Sequence, residues 1–439
     1  MQYLRVDKNK RFLILEDGTP FFWLGDTAWE LFHKLSREEA EVYLKDRYEK
    51  KFNVVQVVAL AELDGLEIEN AYGRKPLLKN TEGVYDPTMP DLSGEYHYWD
   101  HVDHIIDIAE SLNIYIALLP TWGDKFNLSW GKGPKVFNGE NALHYGRWLG
   151  ERYKDKRNIV WVMGGDRPLE RPEHYEIVRA MAEGIKLGDE GNHIMTFHPA
   201  GDTSSSKYVH NESWIDFNMI QSGHHALDID NYNKVKVDYD LSPTKPVLDA
   251  EPRYEDHPIN FKPENGHFVE FDIRQAAYWA VFSGAFGHTY GHHSIWCMCK
   301  EPGEYFPLYW NRAINRPAGS QMRYVKTLIE SRPFLERIPD QSLVVDEYEG
   351  ADHLAATRGV SYAFIYSPTG KTIKVNMGKI TGHKVVAHWY DPKTGEVSYI
   401  GEFENEGVKE FYTPTRGRGQ DWVLMLDDAS VEFVVPGNK

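Results

Sequence analysis

Short apolar runs alternate with longer amphipathic segments through most of the chain. Most of the intervening segments are about 12–18 residues long and have helical periodicity. This alternation predicts β/α units, and eight such units predict a (β/α)8 TIM barrel. The eight apolar runs are Phe21–Trp29, Asn53–Glu62, Ile114–Gly123, Asn158–Arg167, His193–Gly201, Phe217–His225, Lys245–Glu255 and Gly287–Trp296.

The segments between these runs carry recognisable helix signals. Ser36 followed by Glu39 forms a capping-box pattern, which predicts a helix that extends to Lys51. The unit after the fifth run is weak, because only a short helix fits between Ser204 and Asn211. The other predicted helices are Tyr98–Leu112, Asn141–Tyr153, Pro172–Leu187, Asp228–Tyr239, Asp272–Gly284 and Pro317–Glu330.

Both ends of the chain show period-two alternation instead. The segment from Tyr3 to Phe22 is predicted to form a hairpin that closes the bottom of the barrel. After Pro333, alternating segments are separated by turn dipeptides and helical periodicity stops. We therefore predict a barrel domain with its hairpin over residues 1–335 and a small antiparallel β-sandwich domain over residues 336–439.

Charge and composition exclude several classes of partner. The chain has 49 Lys and Arg against 66 Asp and Glu, a net charge of −17, which would repel nucleic acid and anionic membranes. No apolar run reaches the roughly 18 residues of a membrane span. The chain opens on MQYLRVDKNK without the apolar segment of a signal peptide, which predicts a cytoplasmic protein. The sequence does not indicate an oligomeric state.

The chain contains two cysteines, Cys297 and Cys299, which are one residue apart. On a strand they would point to opposite faces, which argues against a disulfide between them. Such sparse use of cysteine fits a reducing compartment.

Acidic residues follow two strands on opposite sides of the predicted barrel. Catalytic groups of TIM-barrel enzymes come from the C-terminal ends of the strands. The fourth run carries Asp166 near its end, and the seventh carries Asp249 and Glu251. Glycoside hydrolysis uses two carboxyl groups that flank the scissile bond. We expect Asp166 and Glu251 to be this pair, with Asp249 as the alternative to Glu251.

The sequence also resembles the apiosidase-like glycoside hydrolases, glycoside hydrolase family 140 and its relatives. The resemblance implies that Asp166 is the acid/base and Glu251 the nucleophile of a retaining, exo-acting enzyme. It implies a sugar such as apiose or another furanose, taken from a small glycoside, and a C-terminal β domain of a type named for collagen binding. The similarity covers residues 5–330 and is carried by the stretches Phe22–Trp29, Trp161–Asp166, Asp249–Pro252 and Gly287–His292.

The chain departs from the wider clan in two respects. Many members have Asn-Glu after strand four, with the Asn bound to the sugar 2-hydroxyl, whereas this chain has Gly165 and Asp166. The donor to that hydroxyl must therefore come from elsewhere, and aspartate has a shorter reach than glutamate. Many relatives are exported, so the missing leader favours small imported glycosides over polymers.

Other polar and aromatic residues follow the predicted strands. Acidic groups and imidazoles hydrogen-bond hydroxyls, and tryptophan offers a flat surface to a sugar. Asp26 could instead be a helix cap or a buried ion-pair partner, and Trp29 and Trp122 could belong to the core. The residues expected to line a sugar pocket are Asp26, Trp29, Glu62, Trp122, Asp124, His198, Gln221, His224, Arg253, Tyr254, His288, Tyr290 and His292.

Two other function classes stay open. The histidines at the strand ends would suit a metal-dependent barrel hydrolase, but strand one lacks the His-x-His of such enzymes, so we expect no metal and no cofactor. A non-catalytic sugar-binding protein is the second alternative. The presence of both carboxylates argues against it. The C-terminal domain is expected to support the barrel rather than to bind a partner.

Overall fold

Eight parallel strands close into the predicted barrel in a computed structural model, which describes residues 1–63 and 65–437. Strands five, four, three, two, one and eight form one sheet in that order, and strands six and seven pair with each other. The prediction of a (β/α)8 barrel is confirmed. In chain order the barrel strands are Trp23–Thr27, Val54–Val58, Tyr115–Leu119, Ile159–Gly164, Met195–His198, Asn218–Gln221, Val247–Asp249 and Gly287–Tyr290.

Hydrogen bonds at two further joints close the ring. Thr196 Oγ1 donates to the Phe217 carbonyl at 2.6 Å, which joins strand five to strand six. The Phe286 amide donates to the Val247 carbonyl at 3.0 Å, which joins strand seven to strand eight. Strands buried on both faces need near-continuous apolar sequence, and this explains the apolar runs.

Helices cover the outside of the barrel. The predicted capping box is present: Ser36 Oγ accepts from the Glu39 amide at 3.2 Å, and Glu39 Oε2 accepts from the Ser36 amide at 2.8 Å. The fifth unit holds only the short helix Ser206–Val209. The other helices are Leu31–Lys34, Arg37–Glu49, Tyr98–Ser111, Gly139–Tyr153, Pro172–Gly188, Asn231–Tyr239, Glu270–Phe282, Trp310–Ala313 and Pro317–Glu330. None of the described helices is long and apolar enough to cross a membrane.

The N-terminal segment, which was expected to be a hairpin, lies at the bottom of the barrel. It forms a three-stranded antiparallel sheet, and the Phe21 ring packs edge-on against Tyr115, the first residue of strand three, at 5.2 Å. A second hairpin, which the sequence pattern did not predict, lies in the long connection after strand two. The strands of these two elements are Leu4–Val6, Leu13–Leu15 and Pro20–Phe21, and then Leu77–Lys79 and Tyr85–Pro90.

Strand eight ends at Tyr290, earlier than the apolar pattern indicated. Cys297 and Cys299 therefore lie in the turns that follow it and not on a strand. Both thiols are free and buried. The argument from strand alternation does not apply to them, because the alternation stops before they are reached.

The C-terminal part is an antiparallel β domain, as predicted. A two-stranded sheet, Ile373–Asn376 with Val408–Phe411, packs on a six-stranded sheet, and residues such as Ile365 and Leu424 form the core between them. The predicted domain ends at Lys439, and residues 438–439 lie outside the described residues. In sheet order the six strands are Ile338–Pro339, Ala355–Arg358, Tyr362–Ser367, Trp422–Asp428, Lys384–Tyr390 and Val397–Glu404.

The other face of the six-stranded sheet packs on the barrel helix Glu270–Phe282. Tyr366 stacks on Tyr278 with ring centroids 4.9 Å apart, and Phe364 stacks on Phe282 at 6.2 Å. The helix is buried from Phe271 to Phe282 because the barrel covers one side and the β domain the other. The β domain therefore supports the helix that follows strand seven.

A buried ion pair fixes this interface. Arg274 donates to the two carboxylate oxygens of Asp421 at 2.9 and 2.7 Å, and both side chains are buried. We expect Arg274→Ala to destabilise the protein by about 3–5 kcal/mol, because Asp421 would be left as an unpaired buried charge. Urea unfolding followed by circular dichroism measures the change.

Arg179 provides a matched control, since it forms a similar pair with Glu212 on the surface at 2.6 Å. Arg179→Ala is expected to cost about 0–1 kcal/mol, because water screens an exposed pair. Equal losses in the two variants would show that the Arg274 pair does not hold the domains together.

Candidate active site

A sharp turn carries Asp166 to the mouth of the barrel. Gly164, Gly165 and Asp166 have φ angles of 91°, 109° and 55°, all in the left-handed region. A Cβ on Gly164 would lie 2.4 Å from the His198 carbonyl oxygen, and one on Gly165 would lie 2.7 Å from the Gly123 amide nitrogen. Both positions therefore need glycine, and aspartate is among the few other residues that tolerate such a φ.

The Asp166 carboxyl is held from one side by two donors. Its Oδ2 accepts from Trp130 Nε1 at 3.2 Å and from Arg167 Nη1 at 3.1 Å. Burial raises the pKa of Asp166 to about 6, the negative charge of Glu251 adds to this shift, and Arg167 opposes it. Asp166 therefore binds a proton far more readily than an ordinary aspartate.

Glu251 lies just beyond strand seven between two histidines. His224 Nε2 is 3.2 Å from Oε1, and His198 Nε2 is 2.9 Å from Oε2. Burial alone would raise the pKa of Glu251, but the contacts with His198 and His224 outweigh it and lower the pKa to about 2. Glu251 is therefore a carboxylate over the whole working pH range.

Asp249, the alternative to Glu251, is enclosed elsewhere. Its Oδ2 accepts from Ser222 Oγ at 2.8 Å and from Asn231 Nδ2 at 2.9 Å, and the side chain is fully buried. These bonds tie strand seven to strand six and to the helix Asn231–Tyr239. One of its partners, Asn231, belongs to a helix outside the barrel, whereas both histidines beside Glu251 follow strands at the mouth.

Several predicted residues surround Glu251. The Trp29 ring lies 5.2 Å from both Trp122 and His198, and the Tyr254 ring lies 4.5 Å from His224. Burial raises the pKa of Tyr254 well above its usual value and the charge of Glu251 raises it further, so its hydroxyl stays a donor. These rings and donors form the wall of one site.

Some buried polar atoms in this wall have no hydrogen-bond partner. Buried polar groups normally have a hydrogen-bond partner. Within the described residues, the following buried atoms have none: Trp122 Nε1, Gln221 Oε1, His224 Nδ1 and Tyr254 OH. A hydroxylated ligand could supply these missing bonds.

Two other predicted acids lie on the Asp166 side. Glu62 is partly exposed; burial and the charges of Glu30 and Asp166 raise its pKa well above the usual range, so it can act as a donor. Asp124 is fully buried, pairs with Lys125 Nζ at 2.7 Å and accepts from the Gly133 amide at 2.9 Å. Asp124 therefore anchors the loop after strand three and has no surface for a ligand.

The remaining predicted residues do not join the site. Asp26 is fully buried and accepts from Tyr43 at 2.5 Å and Arg47 at 2.9 Å, which matches the ion-pair alternative and not sugar contact. The others are likewise engaged in the barrel wall or enclosed by it. These are Arg253, bonded to Gln275 at 3.0 Å, Tyr290, bonded to Glu255 at 2.7 Å, His292, 3.1 Å from Asp256, and His288, fully buried within strand eight.

Sequence reasoning missed Trp130, which donates to the candidate acid. It lies in the loop Asn127–Phe137 after strand three, which has no periodicity to mark it. The signal was a tryptophan among glycines and polar residues, in the segment NLSWGKGP that follows strand three.

In the part of the chain that the structure describes, no three His, Cys, Asp or Glu side chains are arranged to hold a metal ion.

Solved structures similar to this chain define its class. A glycoside hydrolase family 5 protein from Bacteroides vulgatus ATCC 8482 is 35% identical with a TM-score of 0.90, over 99% of this chain and 95% of that one. Another glycoside hydrolase is 37% identical with a TM-score of 0.88, over 99% of this chain and 98% of that one. A family 27 β-L-arabinopyranosidase from Geobacillus stearothermophilus shares only the fold. It is 12% identical with a TM-score of 0.54, over 94% of this chain and 97% of that one. The protein is a glycoside hydrolase.

Matches to family models place the chain in one family of glycoside hydrolases. The family model "Apiosidase-like, catalytic domain" matches residues 7–336, and the chain belongs to that family. A second model, "Putative collagen-binding domain of a collagenase", matches residues 338–427. No curated protein sequence matches the chain. The resemblance found in the motifs is confirmed.

Proposed function

We propose that the protein is a retaining, exo-acting glycoside hydrolase with Glu251 as nucleophile and Asp166 as acid/base. The surroundings of these two carboxyls carry the proposal: His198 and His224 flank Glu251 and lower its pKa, whereas burial and the charge of Glu251 raise the pKa of Asp166 beside Trp130. Environments that push two neighbouring carboxyl pKa values apart divide the roles of base and acid. Each group also follows the strand expected from the clan.

The first step forms a covalent glycosyl-enzyme. A lone pair of a Glu251 oxygen forms a bond to the anomeric carbon, and the glycosidic C–O bond breaks. Its electron pair goes to the leaving oxygen, which takes the proton of Asp166. Glu251 becomes a neutral ester, so the negative charge that helped to raise the pKa of Asp166 is gone.

The second step releases the sugar. The Asp166 carboxylate, whose pKa has fallen, accepts a proton from water as the water oxygen attacks the anomeric carbon. The ester C–O bond breaks, and its electrons return to Glu251. His198 and His224 stabilise the restored carboxylate, and two inversions give net retention.

The terminal sugar is assigned to the Glu251 side of the site. The Glu251 side chain is 8% exposed and that of Asp166 is 24% exposed, so the site is more closed around Glu251. Trp29 and Trp122 would face the sugar ring, and Tyr254 and Gln221 would bond its hydroxyls. A closed end favours a terminal residue, and the family name favours apiose or another furanose.

A substrate screen tests this proposal. We would measure hydrolysis of 4-nitrophenyl pyranosides and furanosides of both anomers, including apiosides, and follow the first-formed product by proton NMR. The product is expected to have the anomeric configuration of the substrate. An inverted product would exclude the double displacement. Sugar binding without turnover would favour a non-catalytic binding protein. Loss of turnover on addition of a chelator would favour a metal-dependent hydrolase.

The pH dependence follows from the same two groups. For a glycoside with a poor leaving group, kcat/KM is expected to fall as the pH rises through about 6, because Asp166 must carry its proton into the first step. The acid limb belongs to Glu251, whose pKa is about 2. Initial rates measured between about pH 4 and pH 9, which is roughly the range in which general acid–base groups titrate, define the alkaline limb. An alkaline limb that survives in Asp166→Asn would assign it to another group.

A further inference from the structure

Trp130 is an exposed tryptophan held in a fixed position beside the candidate acid. Its residue surface is 45% exposed, which is unusual for this side chain. The loop that carries it is tied down at two points: the Gly133 amide donates to Asp124 at 2.9 Å, and Arg167 Nε donates to the Trp130 carbonyl at 3.0 Å. The ring is therefore positioned by buried groups although it faces solvent.

The Trp130 ring has one contact on a face and one at its edge. The Arg167 guanidinium lies over the ring, 4.4 Å from the centroid, and covers one face. The indole Nε1 donates to Asp166 Oδ2 at 3.2 Å. With Arg167 over one face and Nε1 bonded to Asp166, the 45% of the residue surface that stays exposed lies beside the carboxyl that must protonate the leaving oxygen.

Resting on the roles proposed for Asp166 and Glu251, we propose that Trp130 is the platform of a leaving-group subsite and also positions Asp166. The leaving oxygen must come within hydrogen-bond distance of Asp166 to take its proton. The group attached to that oxygen then lies toward the open side of the site, where the exposed surface of Trp130 is. An indole face binds flat rings, so the subsite selects leaving groups that present a sugar or aryl ring.

The two roles can be separated by substitution. Trp130→Phe keeps an aromatic face and removes the N–H donor, whereas Trp130→Ala removes both. The N–H bond favours the ionised form of Asp166, so its loss raises the pKa of Asp166 and moves the alkaline limb of the pH profile upward. A ring that merely packed on Arg167 would have no link to the leaving group.

Kinetics with one sugar on two leaving groups test the platform. For the sugar that wild type hydrolyses, we would compare the 4-nitrophenyl and methyl glycosides. Trp130→Ala is expected to raise KM for the aryl glycoside about tenfold and to change KM for the methyl glycoside little, because a methyl group does not cover the ring. At a pH below the alkaline limb, where Asp166 is protonated in both proteins, Trp130→Phe should keep KM for both glycosides. It should lower kcat chiefly for the methyl glycoside, because Asp166 is no longer held in place. Tyr399→Ala, at an exposed ring of the β domain, is the control.

Fluorine NMR of 5-fluorotryptophan-labelled protein tests the same contacts without any substrate. The resonance that disappears in Trp130→Phe belongs to Trp130. It is expected to titrate with a midpoint near pH 6 and to become flat in Asp166→Asn. It is also expected to shift on addition of 4-nitrophenol, the free leaving group.

The outcomes separate this inference from the proposed function. Equal KM changes for the two glycosides, or a Trp130 resonance that ignores both Asp166 and 4-nitrophenol, would overturn the role of Trp130 and leave the catalytic pair intact. If wild type hydrolyses none of the glycosides, the proposed function fails. The NMR titrations then still decide whether Trp130 reports on Asp166 and binds a ring.

Discussion

Glu251→Ala is expected to lower kcat/KM by about 10³–10⁶, as the loss of a catalytic nucleophile does in other enzymes. The variant lacks the carboxylate that would form the covalent intermediate, and Asp166 is needed as the acid. Initial rates with the 4-nitrophenyl glycoside identified in the screen measure the loss. Thermal unfolding should show that the variant is folded.

Azide should rescue this variant in a diagnostic way. The space left by the Glu251 side chain can admit a small anion, and His198 and His224 remain to stabilise its charge. Azide would attack the anomeric carbon directly, so the product is a glycosyl azide of inverted configuration. Proton NMR of the product identifies it.

Asp249→Ala is the matched control, because it removes the carboxylate two residues before Glu251, at the end of strand seven. This variant loses hydrogen bonds to Ser222 and Asn231, so it should be less stable by about 1–3 kcal/mol. Azide should not rescue any loss of its activity. If azide rescued Asp249→Ala and not Glu251→Ala, the nucleophile would be Asp249.

The sequence predicted the barrel and the candidate pair because both depend on regular patterns. Apolar runs at β/α spacing give the strands, and the rule for strand ends then selects Asp166 and Glu251. The same rule also selected Asp26 and Tyr290, which lie in the barrel wall. Their partners, Arg47 and Glu255, come from other elements, and a strand-end position does not reveal which way a side chain points.

Other features depend on contacts that no local pattern contains. Trp130 reaches Asp166 only because the loop after strand three folds back on Arg167, and loops of this kind have no periodicity. Arg274 and Asp421 are 147 residues apart, so sequence alone does not pair them. The pKa of Glu251 is likewise set by histidines from two other strand ends, His198 and His224. Tertiary packing decides all three.

Asp166→Ala is expected to slow hydrolysis by an amount that depends on the leaving group. General acid–base catalysis contributes about 10²–10⁴ to the rate. A methyl or sugar leaving group needs the proton, so both steps should slow and the loss should be near the upper limit. 4-Nitrophenolate leaves without a proton, so only release of the sugar should slow.

The aryl substrate should therefore show a burst of 4-nitrophenol in Asp166→Ala, because the glycosyl-enzyme accumulates when its hydrolysis is slow. The apparent KM should fall for the same reason. Azide needs no deprotonation to attack, so it should restore turnover and give a glycosyl azide of retained configuration. Stopped-flow absorbance and proton NMR measure the burst and the product.

Glu62→Gln is the matched control for this variant, since Glu62 is the other carboxyl near Asp166 whose pKa is raised by burial. Glu62 takes no part in the proposed proton transfers, so its loss should affect aryl and methyl glycosides by the same factor. A dependence on the leaving group in Glu62→Gln and its absence in Asp166→Ala would transfer the acid/base role to Glu62. The size of the burst then distinguishes the two carboxyls, because only loss of the base that activates water allows the intermediate to accumulate.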